Sequence, residues 1–135
     1  MRGALLLALC TLVSCSKRTE EHRSTSLTSA KERAAFLCDF ALCPTMPLDA
    51  AFHIYPGEQG TVVHALVKID PRDVPRWSMG CDDFNVEVKP PWVNEVIGPT
   101  GWKLVTAPDA MRCGTEKRVI HVKEGIVIRA LLRAD

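Results

Sequence analysis

Four cysteines in the body of the chain, Cys38, Cys43, Cys81 and Cys113, are the residues whose type and number most directly imply chemistry. In a small exported domain an even set of thiols reads as two disulfides. A metal reading is poorly served. Cys38-x4-Cys43 lies at the wide end of zinc spacings, and neither Cys81 nor Cys113 has a second ligand close by in sequence. The chain has no Cys-x-x-Cys redox pair. The favoured pairings are Cys38–Cys43, local and placed where Pro44 ends a helix, and Cys81–Cys113, whose long loop would contribute about 3–4 kcal/mol by chain entropy. Cross-pairing of the first two cysteines with the last two stays open.

Other reactive groups are sparse. His22 falls in a polar leader, and His53, His64 and His121 fall in strand-like segments without metal-ligand spacing. A lone strand histidine is usually a packed or surface residue. Asp82-Asp83 are adjacent carboxylates, which on a strand point to opposite faces and share a site only in a turn. With His121 they are the residues on which an enzymatic reading would rest. The chain has no Gly-x-Ser-x-Gly elbow and no phosphate-binding glycine loop. No catalytic residue, cofactor or metal is therefore expected. Trp77, Trp92 and Trp102 are three large aromatic groups that serve either a core or a binding platform. Trp92, which follows Pro90-Pro91, is expected to be exposed and, with Trp102, to mark a binding surface.

The first residues carry an address. Arg2 precedes an apolar run from Ala4 to Val13, far short of the roughly 20 residues that a spanning helix needs. Leu12-Val13-Ser14-Cys15 closes that run and resembles a lipobox, the recognition site of bacterial lipoprotein signal peptidase. The resemblance covers only the first fifteen residues. It implies cleavage between Ser14 and Cys15, lipidation of the Cys15 thiol, and attachment of the mature chain to a membrane of the cell envelope. Ser16 in place of Asp favours the outer membrane, on its periplasmic face, if the source is Gram-negative. Two or three acyl chains hold a protein to a bilayer where one would not.

Beyond the address, composition points to one domain. The chain has 135 residues and formal net charge +1, with 47% hydrophobic residues, so it can bury a core and lacks the basic footprint of a nucleic-acid binder. The expected organisation is a signal peptide over 1–14, a lipidated flexible tether over 15–28 and a globular domain over 29–135. Charge is uneven: acids dominate residues 38–95, and bases (Arg112, Lys117, Arg118, Lys123, Arg129, Arg133) dominate 112–133. Either the two parts face each other or a basic C-terminal face meets an anionic partner.

The elements that must position these groups read as α+β. Ser29-Ala30-Lys31-Glu32 fits a capping box opening a helix through about Leu42, with Ala34, Leu37, Cys38, Ala41 and Leu42 on its apolar face. Asp70-Pro71 opens a short middle helix that ends before Gly80. Strands are expected over 50–55, 61–69, 84–88, 92–97, 102–105, 119–122 and 126–132, with hairpins joining the first two and the last two. The sum is an N-terminal helix packed on a small, mostly antiparallel sheet. The function this suggests is a lipid-anchored, non-enzymatic binding or assembly module of the envelope, with an envelope protein as its partner. An inhibitor or immunity protein acting on an envelope enzyme or toxin is the alternative.

Overall fold

The computed structural model describes residues 20–134, and the fold is α+β. Among the described residues, seven strands form one antiparallel sheet: β1 (His22–Arg23), β2 (Asp49–Gly57), β3 (Gly60–Lys68), β4 (Asp82–Asp83), β5 (Asp109–Cys113), β6 (Glu116–His121) and β7 (Ile126–Arg133). Their spatial order is β1-β2-β3-β7-β6-β5-β4. Three short helices accompany them: α1 (Ala30–Phe40), α2 (Val74–Ser78) and α3 (Trp92–Ile97). No helix among the described residues is long and apolar enough to cross a membrane.

Strand alternation splits the core into two. Ala50, Phe52 and Ile54 of β2 and Val63, Ala65 and Val67 of β3 face α1, where Leu37 and the fully buried Trp77 complete one cluster. The residues between them, Ala51 and Leu66, face the other way and meet Val119, Ile126 and Ile128 beneath Val93 and Val96 of α3. The sheet is thus covered on both faces, and each large side chain buried there stabilises the fold by roughly 1.5–3 kcal/mol. The Trp77 indole N–H donates to Thr45 Oγ1 at 2.8 Å, so its one polar atom is satisfied inside the core.

Local sequence explains the best-formed elements. Ser29 accepts from the Glu32 backbone N–H, and the Glu32 carboxylate accepts from the Ser29 backbone N–H, closing the capping box of α1. Asp70 caps the turn over Pro71–Asp73 that leads into α2. The β6–β7 turn needs Gly125. Its φ is 67°, and a Cβ there would stand 2.5 Å from the Ile69 carbonyl oxygen. That closeness is functional: Ile69 N–H donates to Gly125 O at 2.7 Å, tying the turn to the end of β3.

Several expectations are corrected. The Ala30–Phe40 helix is not the N-terminal element, because β1 pairs with β2 ahead of it, His22 opposite Ile54 and Arg23 opposite His53. Residues 22–26 of the segment expected to be a tether accordingly form a strand and a turn against β2. Ser24 is buried, and its hydroxyl accepts from Phe52 N–H at 2.9 Å and donates to Phe52 O at 3.4 Å. Helix α1 ends at Phe40, and Leu42, expected on its buried face, is 88% exposed. Residues 92–97 are helical rather than extended. Pro91 enters already in the αR region, and Val93 and Val96, three apart, both point into the core. Residues 84–88 and 102–105 form no strand. In the second case the Val105 and Thr106 N–H groups donate to the Glu124 carboxylate, both at 2.8 Å, instead of to a neighbouring strand. Strand β5 was not foreseen. It pairs with β6 through a tight turn at Gly114, with Cys113 opposite Glu116.

Candidate functional site

Side chains of β6 alternate between two charged environments on opposite faces of the sheet. On the α1 face, Glu116 is held between two arginines. Arg118 Nε and Arg129 Nε each donate to Glu116 Oε2 at 2.7 Å, and Arg129 Nη2 reaches Glu116 Oε1 at 2.8 Å. Other guanidinium N–H groups reach backbone and sulfur: Arg118 Nη1 donates to Trp77 O and Arg129 Nη2 also to Leu42 O, both at 2.6 Å, and Arg129 Nη1 to Cys43 Sγ at 3.5 Å. All three residues are buried. Burial alone would raise the Glu116 pKa, but the two guanidiniums outweigh it and hold the carboxyl below its ordinary value. This is a saturated network, with little bonding capacity left for a ligand. Beside it runs a groove of about 640 Å³, lined among others by Arg76, Arg118, Leu131, Leu42 and Met79, the last two 88% and 71% exposed.

On the opposite face the pattern inverts. His64, Ala130 and Lys117 form one row across β3, β7 and β6, because Ala130 is the register partner of both others. The small Ala130 between two long side chains leaves a depression. Its apolar floor is completed by Val119 and Ile128, and Glu87, Pro90 and Trp92 complete the lining of a recess of about 220 Å³. The His64 imidazole stacks on the Trp92 indole, with centroids 4.3 Å apart and planes 5° from parallel. Tyr55 meets His64 edge-on at 5.5 Å, and His53 lies 4.6 Å from Tyr55, extending the aromatic surface over β2. Burial lowers the His64 pKa first, and nearby His53 lowers it further, so its ring is neutral near pH 7.

The hydrogen-bonding groups of the recess are free. Among the described residues, no protein group bonds the Glu87 carboxylate, the Lys117 ammonium, the Trp92 indole N–H or the His64 ring nitrogens. An apolar floor with a few convergent, unpartnered polar groups is the general form of a ligand site.

The residues singled out from sequence distribute as follows. Ser14 and Cys15 lie outside the described residues. Cys38–Cys43 and Cys81–Cys113 are disulfide-bonded. Trp92 is half-buried rather than exposed, and belongs to the recess. Trp102 is also half-buried but stands apart from it. It borders a separate depression with Ser24, Arg33 and Asp49, and Lys68 Nζ lies 5.9 Å from its ring centroid. Asp82, Asp83 and His121 are not brought together. Asp83 is opposite Met111, which is opposite Arg118, whereas His121 lies three residues further along β6, two strands from the acids. His121 is buried, with Nδ1 2.9 Å from the Thr106 carbonyl oxygen. No cluster of three metal-ligating side chains occurs among the described residues. Within the basic segment 112–133, Arg118 and Arg129 are turned inward onto Glu116 and do not form an outward face.

Sequence reasoning missed His64, Glu87, Lys117 and Ala130 as one site. The usable signal was the alternation of Val62, His64 and Leu66, which puts a histidine on a core-facing row. Only the β3–β7–β6 register joins it to the others.

Fold and site together describe a small, two-disulfide α+β domain with a helix-walled recess on an antiparallel sheet. The chain matches no known protein-family model, and comparisons with curated proteins and with solved structures found no match.

Proposed function

We propose that this protein is a lipid-anchored lipoprotein of the bacterial envelope whose domain is a non-enzymatic binding module. The observation that carries the binding role is the recess, where four polar groups without partners among the described residues surround an apolar floor. Its lining holds no serine, threonine or cysteine beside a base, the pair on which hydroxyl and thiol nucleophiles depend. Two disulfides fit an oxidising compartment. The lipobox resemblance at Leu12–Cys15 supplies the anchor. Radiolabelled palmitate should label the wild-type chain in cells, and Cys15→Ser should abolish the label and release the domain from the membrane fraction. An unlabelled wild-type chain would remove the anchor from this reading. For the binding role, the mature chain in detergent is passed over an envelope extract. A ligand retained by wild type and lost on Trp92→Ala supports the module.

The apolar groove on the other face favours a second reading, an inhibitor or immunity protein that grips an envelope enzyme through Leu42 and Met79. Both are large, apolar and exposed beside a groove, a combination that marks protein contacts. Retention of one near-stoichiometric enzyme, lost in Leu42→Ser/Met79→Ser and kept in Trp92→Ala, would replace the first reading with this one.

A further inference from the structure

We infer that the recess between α3 and strands β3, β7 and β6 takes one pyranose ring of an envelope glycan. The inference rests on the reading of this domain as a binding module and adds the chemical class of its ligand.

Size is the first argument. At about 220 Å³ the recess is smaller than the roughly 300–1,000 Å³ of drug-sized pockets, and suits a single substituted six-membered ring. Charge is the second. The two ionised groups on its lining are Glu87 and Lys117, one of each sign, and the neutral His64 adds none. Both are exposed at the rim, so a ligand of either net charge would meet a repulsive partner along with an attractive one. A neutral ligand meets neither penalty. The distribution of polarity is the third. Ala130, Val119, Ile128 and the His64–Trp92 stack provide apolar surface for the C–H face of a sugar. Around them, a carboxylate that only accepts, an ammonium and an indole N–H that only donate, and an imidazole that does both are free for ring hydroxyls. A hydroxylated ring is amphipathic in the same sense: apolar on its face and hydrogen-bonding around its edge. An aliphatic or aromatic side chain of a protein partner would fill the floor but leave those four groups without a bond.

The arrangement also has a built-in filler. Ala130 is partly exposed and sits between His64 and Lys117, so a larger side chain there occupies the recess from its floor without entering either core.

The test uses the full mature chain in detergent, labelled with nitrogen-15, titrated separately with a β-linked N-acetylglucosamine tetramer and with an α-linked glucose tetramer. At least one should shift the Trp92 indole N–H resonance saturably while the Trp77 resonance stays in place. Ala130→Leu should weaken that binding at least tenfold with unchanged thermal stability, and Lys117→Gln, which changes no packed atom, should weaken it severalfold. Saturable binding that Ala130→Leu leaves intact would overturn the inference, as would no shift with either sugar. Failure of both sugars, with an envelope-derived peptide mixture shifting Trp92 in wild type but not in Ala130→Leu, overturns the saccharide and retains the binding module. Failure of sugars, peptides and envelope extract alike overturns the module as well.

Discussion

Glu116 and Lys117 are neighbours on one strand and meet opposite fates. Glu116 turns to the α1 face and is enclosed by two guanidiniums that also donate to the backbone carbonyls of Trp77 and Leu42. Lys117 turns to the α3 face and borders a recess, with no partner among the described residues. The contrast separates charge that holds the fold from charge held ready for something else. A buried ion pair tolerates no missing member, because the partner left behind is an uncompensated charge in a poor dielectric. A rim charge can be removed at little cost, because water already solvates it.

The sharpest way to break this comparison is to neutralise each neighbour in turn. Glu116→Gln leaves Arg118 and Arg129 buried side by side without their counter-charge, and should lower stability by about 3–5 kcal/mol in denaturant unfolding. Lys117→Gln should change stability by less than about 0.5 kcal/mol, within the usual range for surface changes. Equal losses would mean that Lys117 is structural and that the recess is not a site.

The disulfides extend the same comparison. Cys81–Cys113 closes a 32-residue separation, and that loop contains Glu87, Pro90 and Trp92. Cys38–Cys43 closes a separation of five at the end of α1, and its loop contains no residue of the recess. On chain entropy alone, replacing the first pair by alanine should cost about 3–4 kcal/mol and the second about 2 kcal/mol. The two should also differ in kind. Loss of Cys81–Cys113 should broaden the Trp92 indole resonance, since it frees the loop that brings α3 to the sheet. Loss of Cys38–Cys43 should leave that resonance sharp. Broadening in both would mean that the recess depends on global stability and not on this loop.

What could be read from the residues follows the same division. Local chemistry was legible: the Ser29–Glu32 capping box, the Asp70-Pro71 helix start, and the two hairpins about Gly60 and Gly125 all appear where the sequence puts them. Segments whose state depends on distant partners were not. Residues 92–97 alternate no better than they spiral, and become helical because Val93 and Val96 find a core on the far side of the sheet. β5 carries few strand formers and exists because Gly114 folds it back onto β6. The recess is the extreme case. Its members come from β3, the loop ahead of α3, α3 itself, β6 and β7, and no spacing along the chain links residue 64 to residues 117 and 130.

The smallest expected effect concerns His64, and it tests whether the recess is neutral. Its pKa lies below the ordinary 6.5, first through burial and then through the charge of His53, with Glu95 opposing. A histidine depressed in the native state binds its proton more readily in the unfolded chain. Stability should therefore be flat above the unfolded value of 6.5 and fall as pH drops below it, because the unfolded chain takes up a proton that the native ring resists. The measurement is the difference in unfolding free energy between wild type and His64→Gln at pH 7.5 and pH 5. Titrating groups that do not interact with His64 cancel in that difference, and what remains is His64 with its coupling to His53, which bonds Glu21 at 2.6 Å, and to Glu95. Wild type should lose more stability than the variant on acidification, and sugar binding by wild type should weaken over the same interval. If wild type instead gains on the variant in acid, the native imidazole takes up a proton more readily than the unfolded one. The His64–Trp92 stack would then carry a positive charge in mild acid, and the match to a neutral ring would fail at its second argument.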